Sequence, residues 1–143
     1  MSRVILIVDD EDMIHELLTI HFQRLKTPVE IFNARTGLEA IEIYRSLMDS
    51  KRTPDLVVMD LNLAGEDNME AIEHHKVGGE PLDGIRTTQA LLKLDPAVRV
   101  WGYTAWFETD WGQSLQQYAD RVVERTVPFH EFAEMVDQFF QAH

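Results

Sequence analysis

Short apolar runs alternate along the chain with longer stretches of helical period. Val4-Ile5-Leu6-Ile7-Val8 is a continuous, largely β-branched run, as a strand buried on both faces requires. It stops at the acids Asp9-Asp10-Glu11-Asp12. Beyond them Met13, Leu17, Leu18, His21, Phe22 and Leu25 recur at helical spacing, which predicts a helix to about Lys26, ahead of Pro28. Val29-Glu30-Ile31-Phe32 reads as a short strand, and Gly37 opens a second helix carrying Leu38, Ile41, Ile43, Tyr44 and Leu47. Asp55 to Met59 is a further buried run that ends in an acid, Asp60. Leu82 to Leu94 has helical period and stops at Asp95-Pro96, and Val98 to Tyr103 is a fourth strand. Glu108 to Ala119 reads as helix and Arg121 to Arg125 as strand. Pro128 to Phe140 reads as a last helix with Phe129, Phe132, Met135, Val136 and Phe139 on one face. These phenylalanines read as core, with Phe140 the one that can reach solvent.

The order is βα repeated through the chain, and such alternation implies a parallel sheet with right-handed crossovers and helices on both faces. The expected fold is therefore α/β: a (βα)5, flavodoxin-like, doubly wound, five-stranded parallel sheet in a single domain over residues 1–143. At 143 residues and 45% hydrophobic composition, the chain is long enough for one real core. The formal net charge of −12 opposes phosphate backbones and anionic lipid, so neither nucleic acid nor a membrane surface is an expected partner. The absence of cysteine removes disulfides, thiol nucleophiles and thiolate metal sites. No run is long enough for a secretory h-region or a membrane span, so a soluble cytoplasmic protein is expected.

In such sheets ligands sit outside the carboxyl ends of the strands, at the switch point. Those ends carry Asp9 and Asp10, then Asp60, then Thr104. Acids after a strand also serve as helix N-caps, and each of these residues alone is ambiguous. Together they form a constellation, because carboxylates converging on one point repel one another unless a cation sits among them. Hard oxygen ligands with open positions suit Mg2+. A carboxylate beside Mg2+ can attack phosphorus and become an aspartyl phosphate.

The chain resembles the receiver domain of two-component response regulators over nearly its whole length. The resemblance rests on Ile5-Leu6-Ile7-Val8-Asp9-Asp10-Glu11, on Ala34-Arg35-Thr36-Gly37-Leu38-Glu39-Ala40, on Pro54-Asp55-Leu56-Val57-Val58-Met59-Asp60-Leu61-Asn62-Leu63 and on Tyr103-Thr104-Ala105. It implies Asp60 as phosphoacceptor, served by a sensor histidine kinase or a phosphotransfer protein. It also implies Mg2+ held by Asp9, Asp10, Asp60 and the backbone carbonyl of Asn62. Thr104 would bind a phosphoryl oxygen, and Ala105 would leave room for the donor.

Three departures from the family pattern stand out. The family has a Lys before a Pro after the fifth strand, whereas here the text is Val123-Glu124-Arg125-Thr126-Val127-Pro128. Aligning on Pro128 puts Val127 at the Lys position; aligning from Ala119-Asp120 puts Arg125 there, with Thr126 and Val127 inserted. Arg125 supplies the cation a phosphoryl site needs, with a planar fork in place of an ammonium. Second, the aromatic switch position of the family falls on Val122 or Glu124, so a ring swing is not supported. Trp101 and Trp111 read as packing residues, and Trp106, beside the site, is expected to shield the aspartyl phosphate from water. Third, the loop after the phosphoacceptor is stretched by an insertion at about residues 66–81, which reads as a lid, a partner surface or a solvated excursion. Glu70 and His74, at helical spacing within it, read as a solvated face rather than a metal pair.

The expected function is a stand-alone response regulator that signals to a downstream effector by protein contact, homodimerisation being one route the resemblance allows. One alternative is a pseudo-receiver, a binding module that takes no phosphate. Another is a Mg2+-dependent phosphohydrolase, disfavoured because Asn62 stands where such enzymes need a second acid.

Overall fold

A computed structural model of the chain describes residues 2–60, 84–105 and 110–142, with only the backbone of residues 110–112. Its elements run β1 (Arg3–Val8), α1 (Asp12–Phe22), β2 (Val29–Ala34), α2 (Gly37–Asp49), β3 (Leu56–Met59), α3 (Gly84–Leu94), β4 (Val100–Thr104), α4 (Asp110–Gln116), β5 (Arg121–Glu124) and α5 (Phe129–Ala142). The strands form one parallel sheet in the order β2-β1-β3-β4-β5. This is the doubly wound, flavodoxin-like α/β architecture, with β1 and β3 adjacent at its centre. The predicted insertion at about residues 66–81 lies outside the described residues.

Strand alternation divides the core in two. Ile5 and Ile7 of β1, Leu56 and Val58 of β3, and Trp101 and Tyr103 of β4 face α1 and α5. They meet Ile14, Leu18, Phe22, Phe132 and Val136 there. Leu6, Val8, Val57, Met59 and Val100 face the other way, onto Ala40, Tyr44 and Leu91. Helices on both faces explain why β3 and residues 4–8 of β1 are apolar at every position rather than alternating. Trp101 packs as the sequence suggested, edge-on to Phe132 at 6.1 Å between ring centroids.

Some expectations shift. The α1 helix ends at Phe22 rather than Lys26, because the amides of Arg24 and Leu25 turn back to carbonyls three residues earlier and tighten the chain toward Pro28. Its buried stripe is Ile14, His15, Leu18 and Phe22, and Met13, expected on that face, is 63% exposed. Leu38 is likewise exposed, since Ala40, Tyr44 and Leu47 form the buried side of α2. Phe140, expected to reach solvent, is buried in the α5 face, with the Arg3 guanidinium 5.5 Å from its ring centroid.

Candidate functional site

The site follows from strand register. Val8 and Met59 are partners across β1 and β3, so the next residues, Asp9 and Asp60, leave the sheet side by side. Their amides remain tied to the ladder: Asp9 N–H donates to the Ala34 carbonyl (3.1 Å) and Asp60 N–H to the Val8 carbonyl (3.0 Å). Thr104 ends β4 opposite Glu124 of β5, and the amide of the next residue, Arg125, donates to the Thr104 carbonyl at 2.9 Å. Thr104 is fully buried, Asp10 and Asp60 are half-buried, and Ala105 is exposed.

Asp9, Asp10 and Asp60 each bring a carboxylate oxygen to within 4.8 Å of the others. Asp9 is the most enclosed, 2% exposed. Its Oδ1 accepts from the Glu11 amide (2.9 Å) and its Oδ2 from Arg125 Nη2 (3.3 Å). Burial pushes its carboxyl above the ordinary aspartate value, against the lowering effect of the Glu11 amide and of Arg125. One guanidinium does not balance three carboxylates, and Arg125 Nη2 stands 3.9 Å from Asp60 Oδ1. The donor set is all hard oxygen, gathered around a buried acid; these residues fit a small divalent cation such as Mg2+.

Of the two positions open for the family Lys, Arg125 is the one whose side chain reaches the acids. The Val127 side chain packs against the α5 core cluster instead. Asn62 and Trp106, named from the sequence as a metal ligand and a shield, lie outside the described residues, as does the side chain of Trp111.

Sequence reasoning missed two neighbours of the site. Nε2–H of His15, a buried residue of α1, donates to the Asp9 carbonyl (2.8 Å), and its Nδ1 stands 2.6 Å from Asn33 Oδ1. The only signal was a histidine next to Ile14 on the helical stripe, and Met13 offered an equally apolar register. Tyr103 was visible as part of Tyr103-Thr104-Ala105, but its contacts with Arg125 depend on tertiary structure.

The family model for the response regulator receiver domain matches residues 5–137. The chain belongs to that family. As a receiver domain it is a signalling module of two-component phosphorelays. Sporulation initiation phosphotransferase F of Bacillus subtilis (strain 168) is 38% identical over 77 residues, which is 54% of this chain and 56% of that protein. The match thus spans little more than half the length of that relative. The response regulator protein TrrA of Thermotoga maritima, solved in complex with Mg(2+)-BeF, superposes with a TM-score of 0.69 at 25% identity, covering 96% of this chain and 98% of that one. The CheX-CheY-BeF3-Mg+2 complex from Borrelia burgdorferi gives a TM-score of 0.72 at 19% identity, over 96% of this chain and 89% of that one, a likeness of fold. Among the described residues of this receiver, no helix is long and apolar enough to cross a membrane.

Proposed function

We propose that this receiver accepts a phosphoryl group on Asp60 from a phosphohistidine donor, a sensor histidine kinase or a phosphotransfer protein. The support is the approach of the Asp9, Asp10 and Asp60 carboxylates to within 4.8 Å of one another, with Arg125 Nη2 3.9 Å from Asp60 Oδ1. An Asp60 carboxylate oxygen attacks phosphorus, the P–N bond of the phosphohistidine breaks, and its electron pair returns to the imidazole nitrogen, which takes up a proton. Asp9 and Asp10, with Asp60 and the Asn62 carbonyl, are the residues that would hold Mg2+. Bound there, Mg2+ supplies positive charge against the phosphoryl oxygens and carboxylates. The Thr104 hydroxyl donates to a phosphoryl oxygen, and Arg125 donates to another with charge-assisted hydrogen bonds. Ala105, with no side chain beyond Cβ, leaves the donor's approach open.

On this reading the chain is an acceptor for one phosphoryl group rather than a turnover enzyme. Residues 1–143 are read as one receiver domain with an insertion at about 66–81, working in the cytoplasm. The dianionic group reorganises the loops around β4 and β5 and so changes the surface offered to a downstream effector protein or to a second copy of the chain.

Intact mass after incubation with Mg2+ and acetyl phosphate tests the reading. One added phosphoryl group in wild type and none in Asp60→Asn is the expected result. No addition to wild type, with acetyl phosphate or with histidine-kinase donors, would leave a pseudo-receiver that works by binding alone.

A further inference from the structure

The side chain that replaces the family Lys is not held by acids alone. Arg125 lies with its guanidinium carbon 4.6 Å from the centroid of the Tyr103 ring, and its Nη2 donates to the Tyr103 carbonyl at 2.5 Å. The same Nη2 is the atom that faces Asp9 and Asp60. One residue therefore offers Arg125 both a π-face and a carbonyl, and the Nη2 bonded to that carbonyl also faces the acids. Tyr103 is itself rigid: it is 1% exposed, stacked on Phe132 at 4.1 Å between centroids, and edge-on to Phe129 at 5.7 Å. Its hydroxyl donates to the Val127 carbonyl. Val127 belongs to the stretch Thr126-Val127 that separates Arg125 from Pro128. The ring thus touches both ends of that segment.

An ammonium needs no such support, because its three donors rotate freely. A guanidinium is planar on a long flexible stem, and it serves a phosphoryl group only if its plane is set in advance. The Nε–H of Arg125 is buried without a hydrogen-bond partner among the described residues, so the guanidinium is held through Nη2 and the ring face rather than through all of its N–H groups. We infer that Tyr103 is the positioning residue of this receiver: its ring face and carbonyl set the plane of the Arg125 guanidinium toward the phosphoryl group on Asp60, and its hydroxyl pins the loop that follows. The inference rests on the reading of Asp60 as phosphoacceptor. It gives the chain a coupling route that needs no aromatic residue on β5. A phosphoryl group that draws Arg125 toward itself loosens its hold on Tyr103, and Tyr103 is bonded to the loop leading into α5.

The test is a double-mutant cycle on the rate of phosphorylation by acetyl phosphate at saturating Mg2+, followed by intact mass. Tyr103→Leu removes the ring face and slows phosphorylation roughly tenfold when Arg125 is present, the scale of a cation–π contact that orients a cation. Tyr103→Phe keeps the face and restores a rate near wild type. In an Arg125→Ala background Tyr103→Leu has no further effect. The NMR resonance of Arg125 Nε–H in the unphosphorylated protein reports the pair independently: the ring current shifts it in wild type and Tyr103→Phe, and the shift is lost in Tyr103→Leu. Equal slowing by Tyr103→Leu with and without Arg125, or no slowing at all in a chain that phosphorylates normally, overturns the role of Tyr103 and leaves Asp60 as acceptor. Failure of the wild type to take any phosphoryl group overturns both.

Discussion

Asp9 carries the most confined charge of the site, and its environment makes a prediction about pH. Burial raises its carboxyl above the ordinary value, with the Glu11 amide and Arg125 opposing. A carboxyl whose folded pKa exceeds its unfolded value binds protons more tightly in the folded chain, so its contribution to stability is lost as pH rises through that interval. Without divalent cation, wild type is therefore expected to lose melting temperature relative to Asp9→Asn between acid and neutral pH. Mg2+ binds the ionised form, so the melting-temperature gain on adding Mg2+ is expected to be larger at neutral than at acid pH. Differential scanning fluorimetry across pH, with and without Mg2+, checks both; a gain that is the same at every pH would remove Asp9 from the ligand set. The candidacy of Asp9, Asp10 and Asp60 was legible because Asp9 and Asp60 directly follow runs whose every position is apolar, and Asp10 is next to Asp9. The roles of His15 and Tyr103 were not legible, because Asn33 on β2 and Arg125 and Phe132 beyond β5 reach them only once the chain is folded.

Among the elements, α2 shows how local chemistry sets both ends of a helix. The Thr36 hydroxyl accepts from the Glu39 amide (3.0 Å), and Glu39 Oε1 accepts from the amide of Arg35, the residue before the cap (3.1 Å). At the other end Arg52 N–H returns to the Leu47 carbonyl and Lys51 N–H to the Met48 carbonyl, which places Lys51 at φ 60. That left-handed position suits glycine, so Lys51→Gly is expected to stabilise the chain by about 1 kcal/mol. A higher urea midpoint with unchanged slope is the signature; a lower one would mean the Lys51 side chain supplies more than the backbone costs. The converse holds at Gly102 in β4. A Cβ there would lie 2.7 Å from Leu115 Cδ2 of α4 and 3.2 Å from Val122 of β5. Gly102→Ala is expected to cost about 1–2 kcal/mol through overpacking, and the double variant with Leu115→Ala to lose less than the sum of the two single losses. Additive losses in the double variant would place the strain elsewhere. Helical period located α2 and α5 well, since each presents one long apolar stripe to the sheet. The ends of α1, β2 and β5 were less legible, because turn hydrogen bonds and strand partners decide them.

For the whole molecule, the dominant long-range term is the net charge of −12. Self-repulsion at that charge destabilises the compact state, and salt screens it. In the absence of divalent cation, added NaCl is expected to raise the melting temperature. A fall would show that ion pairs such as Arg35–Asp12 (2.5 Å) outweigh the repulsion, which is not expected of pairs so exposed. The same charge distribution suits the site: the sheet order gathers Asp9, Asp10 and Asp60 at one end of adjacent strands, where a bound cation would relieve them. Alternating strands and helices were enough to foresee that order, since right-handed crossovers leave few arrangements for such a chain.

What the sequence by itself determined is the set of buried strands, their parallel arrangement and the acids at their ends. The physical reason is that full burial demands an apolar side chain at every position of β3 and at residues 4–8 of β1, so the first polar residue after each run marks where the strand leaves the sheet. The sequence favoured Arg125 over Val127 on charge alone, but both follow the same strand, and only the tertiary structure put the Arg125 side chain against the acids. The choice lies in the path of the segment after β5: Tyr103 bonds the Val127 carbonyl, the core takes the Val127 side chain, and Arg125 is left against the Tyr103 ring and the acids. Contacts between β4, β5 and α5 depend on how the strands register and where the loop is pinned, and no periodicity along the chain encodes them.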